Sequence, residues 1–156
     1  MVHPELHPAL KPIAWLLGTW TGEGRGSYPT ISPFTYAEET RFWHMGRPLL
    51  AYSQRTWNPE TGTAMHSEMG FWRVTQIGIE LVLAHTFGIV EIQEGQIERD
   101  RIVTRSRDLV SSGTAKTVQE LNRTYELMGG RLNYYIQMAA AEQKLQGHLE
   151  ASLQKG

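Results

Sequence analysis

The 156-residue sequence contains no cysteine, which excludes disulfides, thiolate metal ligands and cysteine nucleophiles. No apolar run approaches the roughly 20 residues that a membrane-spanning helix needs. The segment Met1 to Lys11 lacks the charged and apolar regions of a secretory signal. The net charge is −1, without a basic stripe or an acidic tail. We therefore expect a cytoplasmic protein that binds neither nucleic acid nor membrane, folded as one domain over residues 1–156.

Several motifs of common enzyme classes are also missing. No Gly-Lys-Ser/Thr follows the glycine-rich stretch, and no apolar strand precedes it, so neither a phosphate-binding loop nor a dinucleotide fingerprint is present. The sequence has no Gly-x-Ser-x-Gly elbow. Its six histidines show no zinc-finger spacing and no His-Glu-x-x-His run. A structural zinc site of a known sequence type is therefore not expected.

Most of the chain alternates between apolar and polar residues, which is typical of half-buried β-strands. Turn signals occur at residues 46–48, 58–62 and 128–131. The pattern predicts about ten short antiparallel strands, with 89–94, 96–105 and 116–127 among the later ones. Trp20, Tyr134, Ile136 and Met138 are expected to face inward. Residues 7–17 predict a short helix or 3₁₀ turn that closes one end, because Pro12 limits its length. The fold class is all-β, either a sandwich or an up-and-down barrel.

One stretch, residues 18–31, carries an unusual inner face. With a period of two, Trp20, Gly22, Gly24, Gly26 and Tyr28 share one side of a strand. Glycine weakens a strand and offers nothing to pack. Three of them in line therefore indicate that something flat lies against the backbone, either another segment of the chain or a planar ligand.

His148 follows Gly147 where a polar loop becomes the last strand. If Leu149, Ala151 and Leu153 face inward, a regular strand points His148 outward. A β-bulge at Gly147 would turn the imidazole back towards the barrel mouth. There it could ligate iron through one ring nitrogen while the other is held by an acceptor. Taken alone, the residue also fits an ordinary surface histidine.

Three glutamates are candidates for acid–base chemistry inside a barrel: Glu38, Glu39 and Glu68. The alternative is that they form ion pairs with the arginines of neighbouring strands, Arg41, Arg55 and Arg73. We favour the ion pairs for each of the three.

The chain resembles the nitrobindin family of small haem-binding β-barrels over nearly its whole length. The most specific part of the resemblance is a Gly-x-Trp-x-Gly-x-Gly motif followed by Tyr-Pro-Thr-Ile, here residues 18–24 and 28–31. The segments 41–48, 65–71 and 148–151 also look like those of the family. The resemblance implies a lipocalin-like, up-and-down antiparallel barrel of about ten strands with a short N-terminal helical turn.

The resemblance also implies haem b near the barrel mouth, with His148 as the axial iron ligand and catalytic residue. It places Thr30 in a turn that touches the haem and His66 in the wall of the pocket, on the face shared by Glu68, Gly70 and Trp72. Gly22 and Gly24 become cofactor-binding candidates, since side chains at these positions would obstruct a porphyrin.

The implied function is a ferric haem enzyme that isomerises peroxynitrite to nitrate and binds nitric oxide, as a monomer or homodimer. The alternative is a lipocalin-like carrier of a fatty acid, another apolar ligand or haem, without catalysis. The family shape does not distinguish the two, but a lipid carrier needs no imidazole at position 148.

Overall fold

The computed structural model describes residues 2–156 and consists of one 3₁₀ helix and ten strands. The helix, η1, spans Pro8–Leu16. The strands are β1 Gly18–Tyr28, β2 Ile31–His44, β3 Leu49–Trp57, β4 Ala64–Thr75, β5 Gly78–His85, β6 Ile89–Glu98, β7 Arg101–Ser111, β8 Val118–Met128, β9 Arg131–Ala140 and β10 Gln146–Lys155. Among these described elements, no helix is long and apolar enough to cross a membrane.

The ten strands form a closed antiparallel barrel in which each strand pairs with its neighbours in sequence and β1 pairs with β10. This confirms the predicted all-β, up-and-down barrel. Full closure removes the exposed strand edges that an open sheet would present. Trp20, Tyr134 and Ile136 are buried and Met138 packs against the core, as the alternation predicts.

One strand boundary predicted from the sequence is wrong. The predicted strand over 96–105 is interrupted by a turn at Arg99 and Asp100, which joins β6 to β7. Arg99 adopts a left-handed conformation with φ 54°, which glycine or asparagine would normally mark. Without such a residue, the turn leaves no signal in the sequence.

The helix η1 closes one end of the barrel. Leu10, Ile13 and Leu16 are fully buried, and their spacing of three matches the three residues per turn of a 3₁₀ helix. Trp20 Nε1 donates to the Leu16 carbonyl oxygen at 2.7 Å, which ties η1 to β1. The predicted N-terminal plug is therefore confirmed.

Because the strands alternate in direction, the start of each even-numbered strand and the end of each odd-numbered strand lie at the end opposite η1. His66 begins β4, His85 ends β5 and His148 begins β10. The up-and-down order thus brings three histidines that are far apart in sequence to the open end of the barrel.

Candidate functional site: the open end of the barrel

His148 lies in a β-bulge. Gly147 pairs with Gln137 and Leu149 with Ile136, so His148 is the extra residue between two consecutive pairs. The bulge changes the direction of the imidazole, while Leu149, Ala151 and Leu153 remain the inner residues of β10. The expected bulge beside Gly147 is therefore present.

The imidazole of His148 is held in one orientation. Its Nδ1 lies 3.0 Å from the Ser27 carbonyl oxygen, and since a carbonyl oxygen only accepts, Nδ1–H is the donor. The ring also packs edge-on against Tyr28, with centroids 5.5 Å apart. This arrangement leaves Nε2 with a free lone pair, the tautomer that a metal-ligating histidine requires.

The charge state of His148 also suits a metal ligand. Partial burial lowers the pKa of His148, and the neighbouring His66 lowers it further. The hydrogen bond to the Ser27 carbonyl oxygen raises the pKa, but the net shift is downward. The imidazole is therefore neutral at pH 7, and a neutral ring nitrogen is the form that binds iron.

A cavity of about 780 Å³ opens beside His148, within the range of cofactor and ligand sites. Its walls come from the β1–β2 hairpin, the β3–β4 turn, β9 and the start of β10. They include Gly26, Ser27, Pro33, Phe34, Asn58, Met65, Tyr135, His148 and Leu149. The walls also carry the charged side chains of Arg25, Glu60 and Glu150. An iron porphyrin combines an apolar ring with carboxylate groups and needs an axial ligand, so it suits a mixed cavity with one fixed imidazole.

The glycine face of β1 is covered by the chain's own atoms. A side chain at Gly24 would meet the ring of Tyr36, and one at Gly26 would meet the rings and methyl groups of Phe34 and Leu149. At Gly22 it would meet the backbone of β10. The sequence left two interpretations of this face, another segment of the chain or a planar ligand. At Gly24 the neighbour is an aromatic side chain of the protein, and Gly22 also packs against protein. The haem-binding role assigned to Gly22 and Gly24 gains no support from this packing, whereas Gly26 lines the cavity.

We expect Gly24→Val to destabilise the barrel rather than to obstruct a ligand directly. The new side chain must displace Tyr36, whose hydroxyl lies 2.6 Å from that of Tyr134. Overpacking of this kind costs about 1–3 kcal/mol. Urea denaturation measures the loss. Gly113→Val is the matched control, because a side chain at Gly113 meets no atom of residues 2–156 within 4 Å. Weaker hemin binding without any loss of stability would instead indicate direct contact between Gly24 and haem.

Thr30 lies in the exposed turn between β1 and β2, three residues beyond Ser27. Its expected contact with haem remains a prediction. His66 is half-buried on the inward face of β4, and Glu68 and Trp72 on the same face are buried. The predicted common face is thus correct. His66 Nε2 points to Glu68 Oε2 at 3.1 Å and to His85 Nδ1 at 3.2 Å, and its place in the pocket wall stays a prediction.

Behind the cavity lies a buried ionic cluster that the sequence interpretation missed. Arg123 Nη1 donates to Glu68 Oε1 at 2.6 Å, and Arg123 Nη2 lies 2.5 Å from Glu91 Oε1. Burial alone would raise the pKa of Glu68, but the charge of Arg123 and the two histidines hold this pKa well below its usual range. The expected ion pairs are thus correct only for Glu39, which pairs with Arg55 at 3.2 Å.

Glu38 is buried without a cationic partner, contrary to the expected ion pair. Thr40 Oγ1 donates to Glu38 Oε1 at 2.6 Å and Tyr134 OH donates to Oε2 at 2.5 Å. Burial raises the pKa of Glu38 to about 7, although both hydrogen bonds lower it. The carboxyl group therefore titrates near neutral pH.

Glu38→Gln is expected to stabilise the protein more at pH 8 than at pH 5. The folded-state pKa of Glu38 is raised, so its stabilising contribution is full below the unfolded-state pKa and is lost as pH rises through about 7. Glutamine does not titrate. The difference in unfolding free energy between variant and wild type should grow by up to about 3 kcal/mol between pH 5 and pH 8. Urea denaturation across this range measures it, with Glu39→Gln as the control, and parallel stability curves for Glu38→Gln and wild type would contradict the expectation.

Comparisons with known proteins agree with this geometry. The model of the family described as THAP4-like, heme-binding beta-barrel domain matches residues 9–155. This chain belongs to that family. The resemblance to the nitrobindins is confirmed, and haem is the cofactor.

Named relatives cover almost the whole chain. Peroxynitrite isomerase 2 of Mycobacterium avium is 47% identical, over 97% of each protein. A peroxynitrite isomerase of Arabidopsis thaliana is 45% identical, over 97% of this chain and 92% of its own length. The crystal structure of Rv2717c from M. tuberculosis is 42% identical and superposes with a TM-score of 0.89, over 97% of this chain and 99% of that one.

Proposed function

We propose that this protein isomerises peroxynitrite to nitrate on a ferric haem b held by His148. The family and the names of its relatives support a haem-binding peroxynitrite isomerase. The observation in this chain that carries the proposal is the geometry of His148. The bulge and the Ser27 carbonyl oxygen orient a neutral imidazole with Nε2 free at the wall of the cavity.

The conversion of peroxynitrite to nitrate conserves every atom and electron, so the site needs no reductant. When bound, haem supplies an iron centre with one coordination position open to small anions and gases. His148 would hold the iron, and the Ser27 hydrogen bond fixes the ring and increases its basicity. Phe34, Met65 and Leu149 give the cavity an apolar side, and an apolar surface beside the iron would favour rearrangement of reactive fragments over their escape.

We also propose that nitric oxide binds at the same open coordination position. Haem iron with an open position takes up small neutral diatomic ligands. The monomer or homodimer state and the cytoplasmic location remain predictions.

The carrier alternative is weakened by the filling of the barrel. Phe42, Tyr52, Trp72, Tyr125 and Tyr134 form a continuous chain of aromatic contacts across the interior, with ring centroids 4.7–5.6 Å apart. The Glu68–Arg123–Glu91 cluster fills the space beside them. An extended fatty acid requires the space that these side chains occupy.

Stopped-flow measurement of peroxynitrite decay tests the enzyme proposal. Hemin-loaded protein should accelerate decay in proportion to its concentration and yield nitrate, while the hemin-free protein should not. Decay at the uncatalysed rate, or products dominated by nitrite and nitrated tyrosine, would favour the carrier.

We predict that His66 tunes access to the open face of the haem and does not hold the iron. Hemin affinity of His66→Leu should stay within about threefold of wild type, because His148 keeps the axial bond. The nitric oxide association rate should change, since an imidazole near the entrance becomes an aliphatic group. Hemin titration and flash photolysis measure the two quantities. If His66→Leu abolishes hemin binding while His148→Leu does not, then His66 holds the iron and His148 lies on the open side of the haem.

A further inference from the structure

Three side chains at the open end of the barrel converge on one point. His66 Nε2 lies 3.1 Å from Glu68 Oε2, His85 Nδ1 lies 3.2 Å from the same oxygen, and the two ring nitrogens are 3.2 Å apart. Glu68 and His85 are almost fully buried, and the His66 side chain is 26% exposed. The haem proposal uses only His66 of this group, as a residue near the entrance, and gives no role to Glu68 or His85.

The triangle has no room for two N–H donors at once. If both imidazoles donate to Glu68 Oε2, two N–H groups face each other across the third side, so hydrogen bonding requires one ring to share its N–H between Glu68 Oε2 and the other ring. An ion about 2.0–2.1 Å from each atom satisfies all three at once, because octahedral or tetrahedral ligands at this distance lie about 2.8–3.4 Å apart. The observed sides of 3.1–3.2 Å fall in this range.

Glu68 is oriented to present one oxygen to this point. Its Oε1 accepts from Arg123 Nη1 at 2.6 Å and from Tyr52 OH at 2.9 Å. Oε2 faces the two imidazoles and receives a longer bond of 3.2 Å from Arg123 Nη2. Partners that hold one carboxylate oxygen while leaving the other for a metal are typical of metal sites.

A second carboxylate stands behind His85. The Nε2 atom of His85 lies 3.5 Å from Oε1 of Glu91, and the Glu91 side chain is fully buried. Within residues 2–156, neither His85 Nε2 nor Glu91 Oε2 has a hydrogen-bond partner. A histidine that ligates through one ring nitrogen usually directs the other to such a carboxylate. These two unpartnered polar atoms therefore complete the arrangement of a ligating histidine.

The buried charges favour a cation. The cluster holds two buried carboxyl groups, Glu68 and Glu91, against one buried guanidinium, that of Arg123. Buried charge without compensation is costly. A divalent ion at the triangle places positive charge beside these carboxyl groups and accepts a lone pair from each of the three atoms.

We propose that His66, Glu68 and His85 form a binding site for one divalent transition-metal ion, with zinc or ferrous iron as the matching class. Two histidines and one carboxylate leave further coordination positions open. The partly exposed His66 provides the route of entry. None of the three ligands is His148, the residue proposed to hold the haem iron.

Calorimetric titration of the metal-stripped full chain with zinc, before any hemin is added, tests this proposal. Wild type should bind one ion per chain, and cobalt at the same site should give visible d–d absorption. His66→Ala and His85→Ala should each weaken zinc binding by at least about tenfold. Circular dichroism and urea denaturation confirm that both variants fold.

Three control variants separate this site from other histidines. His148→Ala, His44→Ala and the double variant with His3→Ala and His7→Ala should bind zinc like wild type. The proposal is overturned if wild type binds no stoichiometric zinc, or if His66→Ala and His85→Ala keep wild-type affinity. An equal loss of zinc affinity in His148→Ala would show that zinc binds at His148, and this would also refute the proposed site. None of these results depends on peroxynitrite activity, so they leave the proposed function untouched.

Discussion

Hemin affinity of His148→Ala is expected to fall at least about 100-fold, and the acceleration of peroxynitrite decay should disappear with it. Changes to partners of a metal ligand already cost about 10–100-fold, so loss of the axial ligand itself should cost no less. The half-buried imidazole contributes little to the core, so unfolding free energy should change by less than about 1 kcal/mol. Titration with hemin, followed by Soret absorption, measures the affinity.

The matched control is His44→Ala, which removes the same side chain at the end of the barrel that η1 closes. It should bind hemin like wild type. Added imidazole should restore the Soret spectrum of His148→Gly, because the free ligand fills the space of the missing ring. If His148→Ala keeps the wild-type spectrum and activity, the axial assignment is wrong.

Arg123→Met is expected to lower the free energy of unfolding at pH 7 by about 3–5 kcal/mol. The substitution keeps the volume but leaves Glu68 and Glu91 buried without their cation. Arg123 depresses the pKa of Glu68, so in wild type the stabilisation is present above the unfolded-state pKa and is lost as pH falls. The variant must instead protonate its carboxylates to fold. Its deficit should therefore shrink between pH 7 and pH 4.

Two further variants make the Arg123 prediction specific. Arg55→Met breaks the exposed pair with Glu39 and should cost less than about 1 kcal/mol. Adding Glu91→Gln to Arg123→Met should recover stability, since one uncompensated buried charge is removed. Urea denaturation measures all of these differences. A loss below about 1 kcal/mol for Arg123→Met, or a further loss in the double variant, would show that the cluster does not behave as a buried ion pair.

The sequence predicted the strands well because alternation is a local property, and the family resemblance chose the barrel over the sandwich. Along β9, Leu132, Tyr134 and Ile136 are buried, and Tyr135 is exposed, as a period of two requires. The same rule predicts the inner residues of β10. It does not predict the turn at Arg99, where the left-handed conformation is imposed by the pairing of β6 with β7.

The candidate site was only partly predictable. His148 was found because the resemblance pointed to it and because Gly147 allows a bulge. Arg123 and Glu91 were missed, since charged residues on alternating strands normally indicate the solvent face. On β6 the polar residues Glu91 and Gln93 are buried while Val90 is exposed, which reverses the usual pattern. The sequence shows only that Val90 and Ile92 alternate with Glu91 and Gln93, which does not tell which pair faces inward.

The sequence by itself determined most of the strands and the N-terminal plug, because each follows from residues close together in the chain. It also marked a possible bulge at Gly147, while the role of His148 came from the family resemblance. Only the tertiary structure decided which residues meet inside the barrel. His66, Glu68 and Arg123 are up to 57 residues apart, yet closure of the barrel brings their side chains into contact. Their charges are tolerated inside because each carboxylate finds a partner there, and such pairing across the barrel is a property of the closed fold rather than of any one segment.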